Sequence, residues 1–224
     1  KGLERNGGVC MRRFEYGQIQ SLSWDMDILS LIAGIYRANG KEEVLLSQSP
    51  AILDSLVELA KVQSTEASNA IEGIVTTSTR LRQLVADKTT PRNRDEQEIM
   101  GYRDALNVIH ESYDSISLSR NHILQLHKIL YNYQFNARGG QLKSVQNYIS
   151  ATYPDGRTEV LFTPLAPYET AEALDQICAE YNRAVGNGEV EPLLAIPIFI
   201  HDFLCIHPFN DGNGRMTRLL TTLL

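Results

Sequence analysis

At 224 residues the chain can bury a sizeable core, as one domain or as one domain with an extension. Hydrophobic residues make up 43% and charged residues 21%, ordinary for a soluble globular protein, and a formal charge of −6 argues against bulk nucleic-acid binding. No apolar run approaches the roughly 18 residues of a membrane span and no signal peptide is visible. Cys10, Cys178 and Cys205 lack metal-ligand spacing, which fits reduced thiols and a cytoplasmic location. Opening at Lys1 without Met and stopping inside the apolar run Leu219 to Leu224, the chain reads as a fragment or the ordered part of something longer.

Residues 1–22 are mixed and show no period. From Trp24 to Ala38, Ile28, Leu31, Ile32 and Ile35 recur at helical spacing, and Asn39-Gly40 supplies a stop. Ser49-Pro50 opens a second helix with an apolar face of Ile52, Leu56, Leu59 and Val62, running to about Ile71. Its end reads Ser68-Asn69-Ala70-Ile71-Glu72-Gly73. Ser68 and Glu72 share a face, and Gly73 suits a left-handed cap. A Glu at a helix C-terminus faces the negative end of the dipole, at a cost of about 0.3–1 kcal/mol unless a cation is near. On spacing alone, a surface Glu before a helix-ending Gly is an equal reading.

Residues 76–90 form a short helix followed by polar residues, and Pro91 marks a boundary between a first region, 1–90, and a second, 91–224. Arg80, Arg82, Lys88, Arg92 and Arg94 cluster here, but Asp87, Asp95, Glu96 and Glu98 interleave with them, so a solvated surface is expected. Asn93 to Ser112 reads as a long helix with Ile99, Tyr102, Ala105, Leu106 and Ile109 inward. Ser119 is positioned to cap the next helix, which carries Ile123, Leu126, Ile129 and Leu130. His110, His122 and His127 have no partner at metal spacing and read as packing or surface residues.

Arg138-Gly139-Gly140 breaks the helical pattern. Gln146 to Ala151 and Glu159 to Thr163 are β-like runs around the hairpin signal Tyr153-Pro154-Asp155-Gly156. A lone hairpin is marginal in water, so it must pack on the helices or serve a purpose. Glu169 to Val185 is amphipathic, with Ala173, Leu174, Ile177 and Tyr181 inward, and Gly186-Asn187-Gly188 ends it. Glu191-Pro192 opens another helix, in which Pro197 is expected to kink or tighten the first turn.

That helix feeds His207-Pro208-Phe209-Asn210-Asp211-Gly212-Asn213-Gly214-Arg215-Met216-Thr217-Arg218. The simplest backbone is helix, tight loop, helix, the second starting near Gly212. Such a start presents unpaired N–H groups and the positive end of a dipole, which suits an anion. Gly212 and Gly214 allow close approach of phosphate. Arg215 and Arg218, three apart, are expected to share a face and fork onto phosphate oxygens. Asp211 can hold Mg²⁺, and His207 has a near-neutral pKa suited to taking a proton from a hydroxyl. These parts describe transfer of a phosphate-containing group to an alcohol. Cys205, two residues before His207, points to another face and reads as a core cysteine. His201, six before His207, does not suit a metal site shared with it.

His207 to Arg218 reads His-x-Phe-x-Asp-Gly-Asn-Gly-Arg-x-x-Arg, which resembles the signature of the Fic family (filamentation induced by cAMP). The resemblance implies a mainly α fold, a Fic-type helical bundle with a small β-hairpin flap. It implies AMPylation: AMP moves from Mg-ATP to a Ser, Thr or Tyr hydroxyl of a target protein, and pyrophosphate leaves. His207 would be the base and Asp211 would hold Mg²⁺ between the α- and β-phosphates. Gly212, Asn213 and Gly214 would form the anion hole. Arg215 would bind phosphate, Arg218 the γ-phosphate, and Phe209 would be a buried anchor. The phosphorylating Doc-like branch departs from Gly-Asn-Gly-Arg in this loop, and this chain does not.

The segment Ser68 to Gly73 resembles the family's inhibitory motif, (Ser/Thr)-x-x-x-Glu-(Gly/Asn), in the branch that carries it upstream of the core. The resemblance implies that Glu72 reaches Arg218 and blocks productive ATP binding. It makes residues 146–163 the flap along which the target's backbone docks, and the Leu126-His127 pair a structural feature. Two rivals remain: removal of AMP from a modified target with help from Glu72, and a non-catalytic binding module using groove and flap. The target, its acceptor residue and a homodimer are left open by the sequence.

Overall fold

The computed structural model describes residues 14–48, 50–135 and 139–224; Cys10, Ser49 and Arg138 lie outside them. In chain order the helices are α1 (Met26–Gln48), α2 (Pro50–Ile71), α3 (Ser78–Val85), α4 (Arg94–Ser112), α5 (Arg120–Leu130), α6 (Pro167–Gly186), α7 (Pro192–Ile206) and α8 (Asn213–Leu223). Between α5 and α6 the strands β1 (Ile149–Thr152) and β2 (Thr158–Phe162) pair antiparallel, with Ile149 opposite Phe162 and Thr152 opposite Thr158. The fold is mainly α with one small hairpin, as expected. None of the described helices is long and apolar enough to cross a membrane.

The core forms where apolar stripes meet. Ile99, Tyr102, Ala105, Leu106 and Ile109 of α4 are all buried, as are Ile123, Leu126 and Leu130 of α5 and the four inward residues expected of α6. Phe199, Phe203 and Ile206 of α7 and Met216, Leu219 and Leu220 of α8 complete the cluster. The caps follow their residue types: Asn93 accepts from the Glu96 N–H at 2.9 Å, and Ser119 accepts from the His122 N–H at 3.3 Å. Pro197 lies beyond the first turn of α7, and the helix continues through it.

A second, smaller core joins α3 to α4 through Leu81, Leu84, Val85, Ile99 and Met100, with Val62 and Ile74 against it. The expected solvated surface holds for Arg82, Asp87, Lys88, Arg92 and Arg94, which are exposed, but not for Glu96 and Glu98, which are buried. The α3 helix lies over α4, so Arg80 reaches the buried Glu96 at 2.6 Å, while within α4 Arg94 reaches the buried Glu98 at 2.8 Å, four residues on. The Arg80 guanidinium, aided by the Arg92 N–H, holds the Glu96 carboxyl down to about 2.

The first two helices depart from the expected pattern. Helix α1 does not stop at Asn39-Gly40 but runs to Gln48; a glycine inside a helix costs only about 1 kcal/mol against Ala, which neighbouring turns absorb. Leu31 and Ile35 are exposed on it, and so are Ile52, Leu56 and Leu59 on α2. Helix α2 instead turns a polar face inward: Thr65, Ser68 and Asn69 are buried. It ends at Ile71, and Gly73 has the expected left-handed backbone, φ +76°.

Candidate active site

Helix α7 ends on His207, whose backbone is left-handed (φ +50°) and whose N–H donates to Phe203 O at 2.8 Å. The chain then dives inward at Phe209, fully buried and stacked on the His127 ring with 3.6 Å between centroids. Asn213 closes the loop from within: its Oδ1 accepts from the Phe209 N–H at 3.0 Å and its Nδ2 donates to Phe209 O at 2.7 Å. Its side chain is therefore spent on the loop, and only its backbone N–H can face an anion. Gly212 (φ +80°) begins α8 so close to Tyr131 that a Cβ there would lie 2.9 Å from the phenol oxygen.

His127 is more than packing. Its Nδ1 accepts from the Gly140 N–H at 2.9 Å, which puts the ring proton on Nε2, 3.1 Å from Asp211 O. Burial pushes its pKa down to about 4, so it stays a neutral strut.

The His207 ring is half-buried, and burial followed by the nearby Lys143 ammonium holds its pKa below the usual value, favouring the neutral, proton-accepting form. Lys143 was not singled out by sequence. It is buried, its pKa is pulled down to about 8 by desolvation, and its ammonium donates to Ile206 O at 2.9 Å and Asn147 Oδ1 at 3.0 Å. Asn147, also missed, donates to His207 O at 3.2 Å and Phe209 O at 3.1 Å. A lone Lys and Asn in a polar stretch carry no sequence signal for such a role. Cys205 lies 3.8 Å from His201, not beside His207, in keeping with different faces.

The two arginines do not act side by side. Arg218 is partly exposed and gathers the upstream motif: Nε donates to Ser68 Oγ at 2.7 Å, and Nη2 to Ser68 O at 3.0 Å and Glu72 Oε1 at 2.7 Å. The Glu72 carboxylate also lies over the start of α8, where a Cβ on Gly214 would collide with its Oε1. A carboxylate thus sits where the first turn of α8 presents N–H groups with no intrahelical acceptor. Arg215 instead turns into the core, against the expected shared face. It pairs with buried Glu98 at 2.8 Å and donates to Tyr131 OH at 3.0 Å. The reason is Glu98: a buried carboxylate needs a buried cation.

Asp211 is exposed, with Oδ1 accepting from the Gly212 N–H at 2.7 Å and Oδ2 3.9 Å from Arg215 Nη2. Among the described residues no three His, Cys, Asp or Glu side chains converge as a metal cage. The chemistry of a single exposed carboxylate beside a helix N-terminus suits Mg²⁺, which takes few protein ligands and completes its shell with phosphate and water.

Residues 117–224 match the model of the Fic/DOC family. Over 136 residues the chain is 27% identical to protein adenylyltransferase fic-1 of Caenorhabditis elegans, covering 58% of this chain and 24% of that protein. Over 161 residues it is 26% identical to protein adenylyltransferase Fic of Nematostella vectensis, covering 68% and 34%. The matches thus span about a quarter to a third of these relatives. Its fold is similar to a Fic-domain-containing signalling protein from Bacteroides thetaiotaomicron (TM-score 0.72, 24% identity, 85% of this chain and 71% of that one). It is also similar to a Fic family protein from Desulfovibrio desulfuricans (TM-score 0.69, 22% identity, 90% and 58%).

Proposed function

Residues 117–224 belong to the Fic/DOC family, and from that premise we propose that the chain is a self-restrained protein adenylyltransferase, moving AMP from Mg-ATP to a Ser, Thr or Tyr hydroxyl of a target protein. The relatives named as adenylyltransferases support the reaction class. The observation that carries the restraint is the Glu72 carboxylate, bonded to Arg218 and lying against Gly214.

In this reading His207 takes the proton of the acceptor hydroxyl. The freed oxygen attacks the α-phosphorus in line, the bond to the β-phosphate oxygen breaks, and pyrophosphate departs. The N–H groups of Asn213 and Gly214 and the Arg218 guanidinium hold phosphate oxygens once Glu72 has moved, while the Gly212 N–H expected with them is taken by Asp211 Oδ1 and joins only if Asp211 turns away. Arg215, fixed on Glu98, supports the loop from below and adds its charge through it. Asp211 would hold Mg²⁺, which supplies charge neutralisation on the phosphates. The hairpin within residues 146–163, exposed along β2, receives the target's backbone as an added strand. Little covalent chemistry is asked of the protein; it positions the reactants and stabilises charge. Residues 1–90 would then regulate and 91–224 catalyse.

The test is intact-mass spectrometry of wild type and Glu72→Gly with Mg-ATP. Replacing Glu72 frees Arg218 and the helix start, so the variant gains AMP adducts faster, by about tenfold or more if the carboxylate's hydrogen bond to Arg218 contributes the 1.5–3 kcal/mol usual for a charged pair. Equal incorporation by both proteins removes the restraint, and no adduct in either removes the transferase.

A further inference from the structure

We infer that Lys143, with Asn147, is the positioning residue that fixes His207 and ties it to the stem of the hairpin; this rests on the transferase reading above. The two side chains come from the segment running into β1, and each grips the backbone of the catalytic loop. The Lys143 N–H donates to Pro208 O at 2.8 Å and its ammonium to Ile206 O at 2.9 Å, while Asn147 Nδ2 reaches both His207 O and Phe209 O. The ammonium also donates to Asn147 Oδ1, so the two grips brace each other.

Three features mark this clasp as more than packing. His207 holds a left-handed backbone, which a residue with a Cβ adopts at an energetic cost and keeps only where its neighbours enforce it. The carbonyls bonded by Lys143 and Asn147 are those of Ile206, His207, Pro208 and Phe209, four in a row across that turn. Lys143 is buried with neutral acceptors, an expensive way to place a cation unless the charge is used. It lies at the C-terminal, negative end of α7, where a cation is favoured. Among the described residues, Lys143 is the charged group acting on the imidazole, and Glu169 the one acting on Lys143. Because Asn147 is two residues from the first residue of β1, a strand added to the hairpin and the imidazole beside it are held by the same few bonds.

The experiment uses the Glu72→Gly protein as parent and compares Lys143→Met, Lys143→Arg and Asn147→Ala in that background. Three quantities are read: the rate of AMP incorporation from Mg-ATP by intact mass, the Kd for Mg-ATP by calorimetry, and the titration of the His207 ring by ¹H–¹³C NMR, assigned with His207→Gln. Lys143→Met is expected to slow incorporation at least tenfold, to leave the Mg-ATP Kd within twofold, and to move the His207 titration midpoint upward; Lys143→Arg recovers most of the rate. A Lys143→Met rate within twofold of the parent, with an unmoved His207 titration, overturns the inference. Should Lys143→Met melt too low to assay, Asn147→Ala decides: a slowed rate at unchanged Kd supports the clasp, and an unchanged rate overturns it. A parent that gains no AMP sinks the transferase reading instead. The His207 titration still judges the clasp: an upward shift supports it and no shift overturns it.

Discussion

In the proposed reaction His207 has one task, to accept a proton, and its surroundings leave it neutral for it. Burial and the Lys143 ammonium both disfavour the imidazolium, so the proton-accepting form predominates at neutral pH. A positioned base contributes about 10²–10⁴-fold. His207→Ala in the Glu72→Gly background is therefore expected to lose AMP incorporation by at least 10²-fold, with Mg-ATP affinity held within a few-fold in calorimetry. Alanine at φ +50° bears the same backbone strain and the ring is only half-buried, so the melting temperature should move little. Retained incorporation would remove the base assignment. Residues of this kind were legible because their chemistry is local: His207, Asp211, Phe209 and Gly212 lie within six consecutive positions whose order alone implies helix, turn and helix. Lys143 and Asn147 were not, because their role exists only in where the loop before β1 happens to fold back.

Arg215 shows what changes when whole elements meet. Three residues from Arg218 on α8, it belonged by spacing to the same anion site, yet α4 packs beside α8 and presents Glu98 to it. That partner is invisible to periodicity, since a Glu in a charged stretch reads as solvated until α3 covers the helix. The same blindness missed Glu96 and Arg80, which hold α3 on α4. By contrast α4, α5, α6 and α7 were legible nearly to their ends, because each buries a continuous apolar stripe. Removing one partner from a buried pair costs more than the pair contributed: the other charge is stranded, typically at about 3–5 kcal/mol. Glu98→Ala should therefore destabilise the protein by about that much, seen as a lower midpoint in urea and a melting temperature reduced by on the order of 10 °C. Asp211 is near enough to soften the loss, but at 3.9 Å it does not replace a 2.8 Å contact, and Arg94, a cation, loses its own partner in the same change. A midpoint unchanged within 0.5 kcal/mol would mean that Arg215 has another partner.

Across the whole molecule the proposed restraint hangs on an element outside the main core. Helices α4 to α8 bury their apolar stripes against one another, whereas α2 leaves Ile52, Leu56 and Leu59 exposed. Toward α4 and α8 it offers Thr65, Ser68 and Asn69, and its end is held by the bonds of Arg218 to Ser68 and Glu72. Polar contacts of this sort contribute about 1 kcal/mol each, with somewhat more for the charged pair, far less than a buried stripe of leucines and isoleucines. Local opening follows such differences, and elements that must move are drawn from the weakly attached part. The amides of α2 are therefore expected to exchange with deuterium through an opening several kcal/mol cheaper than that of α4 or α7. In Glu72→Gly the last turn of α2 and the first turn of α8 should exchange faster still, while α5 and α6 stay unchanged. This attachment is also why the apolar pattern misled at α1 and α2, where apolar residues at helical spacing predict a helix but do not say that its apolar face is covered. Equal protection of α2 and α4 in wild type would show that α2 opens only with the core, and in the proposed restraint Glu72 would then yield to ATP only by moving its side chain.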